Sequence, residues 1–250
     1  MQMDADDVDR MLPKHHHQTY GHPMRQACEK GESEELQDVI NRGVFGSPKP
    51  YDKGDIVIGL MWVYAIKSKD GKYQRTRGRI TLMGNQERLQ ALIGREDAYA
   101  PVAQMITTRL LVAMHLGIPG IYFRKMDIKN AYINENMRRD VRCKLPPGYT
   151  IQYLADGNWV FRKLYKGEIA PKISLQVVKA LYGGMECGRI FWEAWVDWHL
   201  NDGFQIIHSE RCYLHKRSPD GAYIKLGYHV DDNLCVGVGW EFYQQAHDEV

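Results

Sequence analysis

Lys125-Met126-Asp127-Ile128-Lys129-Asn130-Ala131-Tyr132 and, far downstream, Tyr228-His229-Val230-Asp231-Asp232 are the two stretches on which the fold turns. Each sets carboxylate at the end of an apolar, strand-like run. If folding brings Asp127, Asp231 and Asp232 together, the three carboxylates can hold two divalent cations about 4 Å apart, the geometry of nucleotidyl transfer. An Asp-Asp pair alone more often caps a helix or sits in a solvated turn. The surrounding pattern therefore has to decide.

Around the second stretch, residues 222–226 and 234–238 are predicted strands, with His229 to Asn233 between them. A tight turn offering adjacent carboxylates at the tip of a rigid hairpin is a good metal platform, because strand pairing fixes the backbone. Around the first, residues 121–127 form a predicted strand. Ahead of it lies a predicted helix over 107–117, with Leu110, Leu111 and Met114 packing inward. A further helix over 190–200 places Phe191, Trp195 and Trp198 on one face, an aromatic stripe assigned to the core, and Gly203 stops it. Helices mixed with antiparallel hairpins make the chain α+β.

A third hairpin comes earlier. Residues 61–66 read as a strand, Lys69-Asp70-Gly71-Lys72 carries the Asp-Gly turn signal, and residues 73–82 return. Arg75, Arg77 and Arg79 alternate at period two and share a face of the returning strand. A row of planar guanidinium forks suits phosphate. It equally suits a solvated edge strand kept from aggregating by charge.

Composition bounds the rest. With 250 residues, 44% hydrophobic and 26% charged, the chain suits a globular protein of one or two subdomains. A net charge of +2 identifies no polyanionic partner, so local clustering carries that argument. No stretch approaches the roughly 18 apolar residues of a membrane span. Residues 1–22 are polar, rich in Asp, His and Met, and predicted to be a disordered leader, with His15-His16-His17 as solvated tail. Cys28, Cys143, Cys187, Cys212 and Cys235 form no CxxC pair. They are expected as reduced thiols in a cytoplasmic or nuclear setting, not a secreted one.

The chain resembles the reverse transcriptases of copia-type LTR retrotransposons in an ordered series of motifs running from about residue 24. Trp62 to Lys67 resembles "WVfkiK", Arg77 to Ile80 "KARLV", and Tyr99 to Val102 "FAPV". Thr108 to Leu111 resembles "IRLLLA", Met126 to Tyr132 "MDVKTAF", and Pro146 to Tyr149 "PPGF". Lys179 to Gly183 resembles the start of "KALYGLKQAPR", and His229 to Asp232 "YVDD". The resemblance implies a right-hand polymerase fold with fingers and palm, an antiparallel palm sheet with packed helices, and the thumb absent. Residues 23–120 would be mainly fingers. Residues 121–250 would be mainly palm, with a fingers insertion around 133–175. Residues 244–250 would begin a helix.

By the same resemblance the activity is RNA-directed DNA synthesis by two-metal nucleotidyl transfer. Asp127, Asp231 and Asp232 are the implied catalytic carboxylates. With the Ile128 carbonyl they would hold two Mg2+ ions, or Mn2+ in their place. Arg77, Arg79, Ile128, Tyr132 and Gly183 would form the nucleotide site. Tyr132 would exclude a 2′-hydroxyl, and Gly183 would let template or base approach the backbone. Lys72, Arg75, Lys179 and Arg189 would contact nucleic acid. The implied partners are an RNA or DNA template with primer, deoxynucleoside triphosphates, and the RNase H and integrase portions of a parent polyprotein, with no membrane. The setting would be a cytoplasmic particle or the nucleus.

Four departures from the family pattern stand out: Met83, Glu186, Gly188 and His229. Glu186 would put a negative charge beside a polyanion. They keep open a second reading, a degenerate remnant that binds nucleic acid without copying it. A third, an unrelated metal-dependent nuclease, is left without support by the motif order. The 250 residues alone are expected to bind nucleic acid in a salt-sensitive way with little synthesis.

Overall fold

Asp70 and Gly71 both take positive φ, 53° and 72°, so the chain reverses within two residues and two long strands pair from Leu60↔Leu82 to Lys69↔Lys72. This is the geometry an Asp-Gly dipeptide favours, because both central residues of the tight turn are left-handed. The computed structural model describes residues 4–89, 93–207, 210–230 and 232–239. The elements are α1 (Ala5–Met11), α2 (Arg25–Asn41), β1 (Phe45–Pro50), β2 (Leu60–Lys69), β3 (Lys72–Leu82), α3 (Gly84–Leu89), α4 (Arg95–Ala98), α5 (Met105–His115), β4 (Ile121–Asp127), β5 (Asn136–Lys144), β6 (Tyr149–Tyr153), β7 (Trp159–Lys163), β8 (Ile173–Lys179), α6 (Cys187–Asn201), β9 (Gln205–Ile206), β10 (Tyr213–Arg217), β11 (Tyr223–His229) and β12 (Asp232–Val238). The helix expected at 244–250 lies outside the described residues.

The chain divides into two compact units, Met1–Gly94 with Asn136–Cys187, and Arg95–Glu135 with Gly188–Val250. The division differs from the one expected near residue 120. The segment carrying α4 and α5 groups with β4, because its contacts run to the sheet that β4 edges.

In the first unit the β2–β3 ribbon buries Leu60, Trp62, Ile80 and Leu82. The Trp62 indole N–H donates to the Pro147 carbonyl at 3.1 Å. Helix α2 lies against β3 at a glycine-to-glycine crossing. A Cβ on Gly31 would sit 2.6 Å from the Gly78 nitrogen, and one on Gly78 would sit 2.9 Å from the Glu32 nitrogen. The outer edge of β3 is satisfied rather than left open: Ile80 N–H donates to the Glu35 carboxylate at 3.2 Å, and Leu82 N–H to the Tyr182 carbonyl at 2.7 Å. Blocking that edge removes a template for strand addition. Strands β1, β8 and β5 form a three-stranded antiparallel sheet beside a β6–β7 hairpin.

The described part of the expected leader, residues 4–22, is ordered. Asp4 caps α1 by accepting from Asp6 N–H at 2.9 Å, and Ala5 N–H donates to the Gly71 carbonyl at 3.0 Å. Val8 is 1% exposed and packs with Met24 and Cys28 against Tyr64, Ile66 and Tyr73. Average polarity hid this, because one cap and one buried valine suffice when the hairpin supplies the surface they meet.

The second unit is a five-stranded antiparallel sheet in the order β4-β12-β11-β10-β9. Phe191, Trp195 and Trp192 of α6 are buried with Leu226, Tyr228 and Val236 of the sheet. Trp198, expected in that stripe, is 42% exposed. Helix α5 also departs from its expected inward face: Leu111 is buried, while Leu110 and Met114 are 54% and 68% exposed. The face turned inward is Thr108, Leu111 and His115, at helical spacing. The Thr108 hydroxyl lies 2.6 Å from the Tyr213 hydroxyl, and the His115 ring packs on Tyr223. The inward face thus carries a polar contact to buried Tyr213 that an apolar count does not anticipate. All five cysteines are free and buried, and burial pushes Cys187 and Cys235 up to about 12. Buried thiols held protonated in this way are poor nucleophiles.

Gly31→Ala has to force α2 away from the β3 backbone. A loss of about 1–3 kcal/mol in urea denaturation is expected, the range of an overpacked contact with no flexible neighbour to yield. A matched change at Gly43, where a Cβ meets nothing within 4 Å, tests left-handed strain alone.

Candidate active site

The hairpin of β11 and β12 closes on two residues, with His229 opposite Asp232. Val230 occupies the turn at φ 60°, a strained conformation for a β-branched side chain. Strand β12 then pairs antiparallel with β4 in unbroken register, from Val238↔Ile121 to Asp232↔Asp127. Folding therefore sets two exposed carboxylates directly across the sheet from one another, with Cβ atoms about 4.5–5.5 Å apart by strand geometry. Asp231 lies outside the described residues. Among the described residues no group of three or more His, Cys, Asp or Glu is gathered to hold a metal. Asp127 and Asp232 still fit a hard cation, since their donors are all oxygen and like charges opposed across strands need a positive partner.

Part of that partner is present. Lys125 Nζ lies 2.9 Å from Asp232 Oδ1. Lys125 stands two residues before Asp127, so alternation puts both on one face. The spacing is legible in the sequence once Asp127 is singled out, yet Lys125 was not among the expected site residues.

Met126 and Asn233 pair across the opposite face and point toward α6. With Ile128, Asn134, Glu135, Phe191, Ala194, Trp195, Trp198 and His199 they line a cavity of about 440 Å³. The residues flanking Asp127 thus rest on an aromatic bed. Tyr132 follows on a 3-10 turn, Ala131–Asn134, whose Asn130 cap is left-handed at φ 56°. Its ring meets Phe191 edge-on at 5.9 Å, and a Cβ on Gly188 would come 3.9 Å from its hydroxyl. Arg189 pairs with Glu193 one turn on and lies over the Trp192 ring at 5.0 Å.

In the first unit the three arginines do share one face of β3, opposite the buried Thr76, Gly78 and Ile80. Arg75 is ion-paired with Glu34, and the Arg79 guanidinium lies 4.8 Å over the Tyr182 ring. Lys72 is exposed at the hairpin tip, and Lys179 sits half-buried opposite Asn136. Gly183 has φ 86°, and a Cβ there would lie 2.2 Å from the Leu82 carbonyl oxygen. The chain's own turn requires the glycine.

The sequence did not reveal a buried charge network in this unit. Arg139 reaches Glu87 at 2.8 Å and Glu186 at 2.9 Å, and both carboxylates are buried. Glu186 is therefore neutralised inside the unit, which corrects its expected place beside a polyanion. Met83, another departure, is a half-buried packing residue, its sulfur 3.5 Å from Gln86 Nε2. Glu32 is fully buried and accepts from the Tyr64 and Tyr149 hydroxyls at 2.5 and 2.8 Å. His16 lies 3.6 Å from Glu32, which corrects its expected place in a solvated tail, and burial holds its imidazole below its ordinary pKa. Among the described residues no helix is long and apolar enough to cross a membrane.

A family model described as "Reverse transcriptase (RNA-dependent DNA polymerase)" matches residues 49–248. The chain is similar to the Retrovirus-related Pol polyprotein from transposon TNT 1-94 of Nicotiana tabacum, 22% identical over 233 residues. It is also similar to that from transposon RE1 of Arabidopsis thaliana, 22% identical over 185 residues. The matches cover 92% and 72% of this chain but only 16% and 11% of the polyproteins.

Arg139→Met leaves Glu87 and Glu186 buried without a cation, so a destabilisation of about 3–5 kcal/mol is expected in chemical denaturation. Combining it with Glu87→Gln and Glu186→Gln should recover most of the loss.

Proposed function

Since the chain belongs to the reverse transcriptase (RNA-dependent DNA polymerase) family, we propose that it is a polymerase domain of a copia-type Pol polyprotein, built for RNA-directed DNA synthesis. The observation that carries this reading is the register Asp232↔Asp127 at the edge of the five-stranded sheet. The second unit is then the palm, and the first supplies fingers of a right-hand polymerase.

Asp127, Asp231 and Asp232, with the Ile128 carbonyl, would hold two magnesium ions. When bound, these cations lower the pKa of the primer 3′-hydroxyl and neutralise charge on the triphosphate and leaving pyrophosphate. Asp127 and Asp232 are fixed by strand pairing, so no loop has to order before they bind. Tyr132, braced by Phe191, is positioned to stand beneath the sugar and reject a 2′-hydroxyl. Arg77 and Arg79 grip the triphosphate. The Arg79 guanidinium lies 4.8 Å over the Tyr182 ring, a contact a guanidinium favours. Gly183, exposed beside Leu82, offers bare backbone to the base or template. Lys72, Arg75, Lys179 and Arg189 add non-specific phosphate contacts whose strength falls with salt. Template, primer, deoxynucleoside triphosphates and the RNase H and integrase portions of a polyprotein are the partners this reading requires. Two of the departures that suggested a degenerate remnant, Met83 and Glu186, are explained by packing and by Arg139, which favours a working polymerase.

Single-nucleotide incorporation on poly(rA)/oligo(dT) with magnesium tests the reading without demanding processive synthesis. Asp127→Asn and Asp231→Asn should each cut incorporation by about a hundredfold or more, the scale of several kcal/mol of charge stabilisation, while template binding persists. Incorporation that survives both changes sinks the site. Tyr132→Ala should raise ribonucleotide use relative to deoxynucleotide by at least about tenfold. An unchanged ratio removes Tyr132 from the nucleotide pocket.

A further inference from the structure

We propose that Lys125 is a resident countercharge of the carboxylate site, an ammonium that holds Asp232 when no divalent cation is bound and yields it when one arrives. The proposal rests on the assignment of Asp127, Asp231 and Asp232 as the metal site.

Two exposed aspartates directly opposed across antiparallel strands repel, and the repulsion acts on the pairing that positions them. Lys125 Nζ at 2.9 Å from Asp232 Oδ1 offsets it. Register sets the face and the position of the lysine. It pairs with Leu234, two residues along β12 from Asp232, and lies on the same face as Asp127 and His229. A four-carbon stem spans this diagonal, which a shorter cation does not. Its ammonium takes an oxygen that a divalent cation needs, so metal entry has to displace it. Two consequences follow. The sheet edge folds in register without metal, and the first cation binds more weakly than the carboxylates alone would allow. The displaced ammonium remains beside the site, where it can meet a phosphate oxygen of an incoming triphosphate.

The test is Mn2+ binding by calorimetry to the purified chain, together with melting temperature in EDTA and in Mn2+. Lys125→Met should tighten the Mn2+ Kd about three- to tenfold, the effect of removing one partly screened charge a few Å away. It should also lower the melting temperature in EDTA and enlarge the upward shift that Mn2+ produces, because ligand binding makes up for the lost countercharge. Lys125→Arg, which keeps the charge, should retain wild-type values. Unchanged or weaker Mn2+ binding in Lys125→Met overturns the role of Lys125, provided Asp127→Asn still abolishes binding. If Asp127→Asn leaves Mn2+ binding intact, the site assignment itself fails and the proposal with it. If Lys125→Met does not fold, Lys125→Gln carries the same comparison.

Discussion

The antiparallel register between β4 and β12 is the constraint on which the functional reading depends. One residue of slip would turn Asp127 to the α6 side and Met126 to solvent, since side chains alternate with a period of two. The pair that faces inward resists it. Met126 and Asn233 face α6, where Phe191, Trp195 and Tyr228 are packed closely enough that Trp195 and Tyr228 ring centres lie 4.4 Å apart. Hydrophobic burial on one face thus aligns charge on the other. The strained turn at Val230 belongs to the same arrangement, because a two-residue reversal leaves no slack between the end of β11 and Asp232.

The first unit solves a different problem. It carries charge inside, held by ion pairs and hydrogen bonds. Arg139 stands between Glu87 and Glu186, and Glu32 is held by two tyrosine hydroxyls. Burial of Tyr64 and its bond to Glu32 both push its hydroxyl well above the ordinary tyrosine range, so it stays a donor at every working pH. Such networks contribute little net stability against an apolar core but make the wrong packing costly, since any rearrangement strands a charge. They also bind together parts of the chain far apart in sequence: α3 with β5 and the residues before α6, and α2 with β2 and β6.

Between the two lies a contrast in how cation and carboxylate are used. Arg139 is locked between its partners and shielded. Lys125 is exposed and ion-paired with an exposed aspartate. A planar guanidinium with two buried anions is a fastening. A solvated ammonium on an exposed aspartate is replaceable, which is what a site that must exchange ions requires.

The sequence by itself determined the β2–β3 and β11–β12 hairpins, helices near 107–117 and 190–200, and the two acidic stretches at strand ends. Those features are local: Asp-Gly chemistry at 70–71, alternation of Arg75, Arg77 and Arg79, and apolar runs ending in aspartate each act over a few residues. The ordered motifs likewise carry the family resemblance. Tertiary structure alone decided which face of α5 turns inward, that Val8 anchors an ordered N-terminal helix, that Glu186 is neutralised by Arg139, and that Lys125 reaches Asp232. Each of these depends on a partner tens of residues or more away, or on a side chain choosing among several reachable ones. Composition and periodicity say what a segment can bury or donate. Only the assembled sheet and its packed helices say to what.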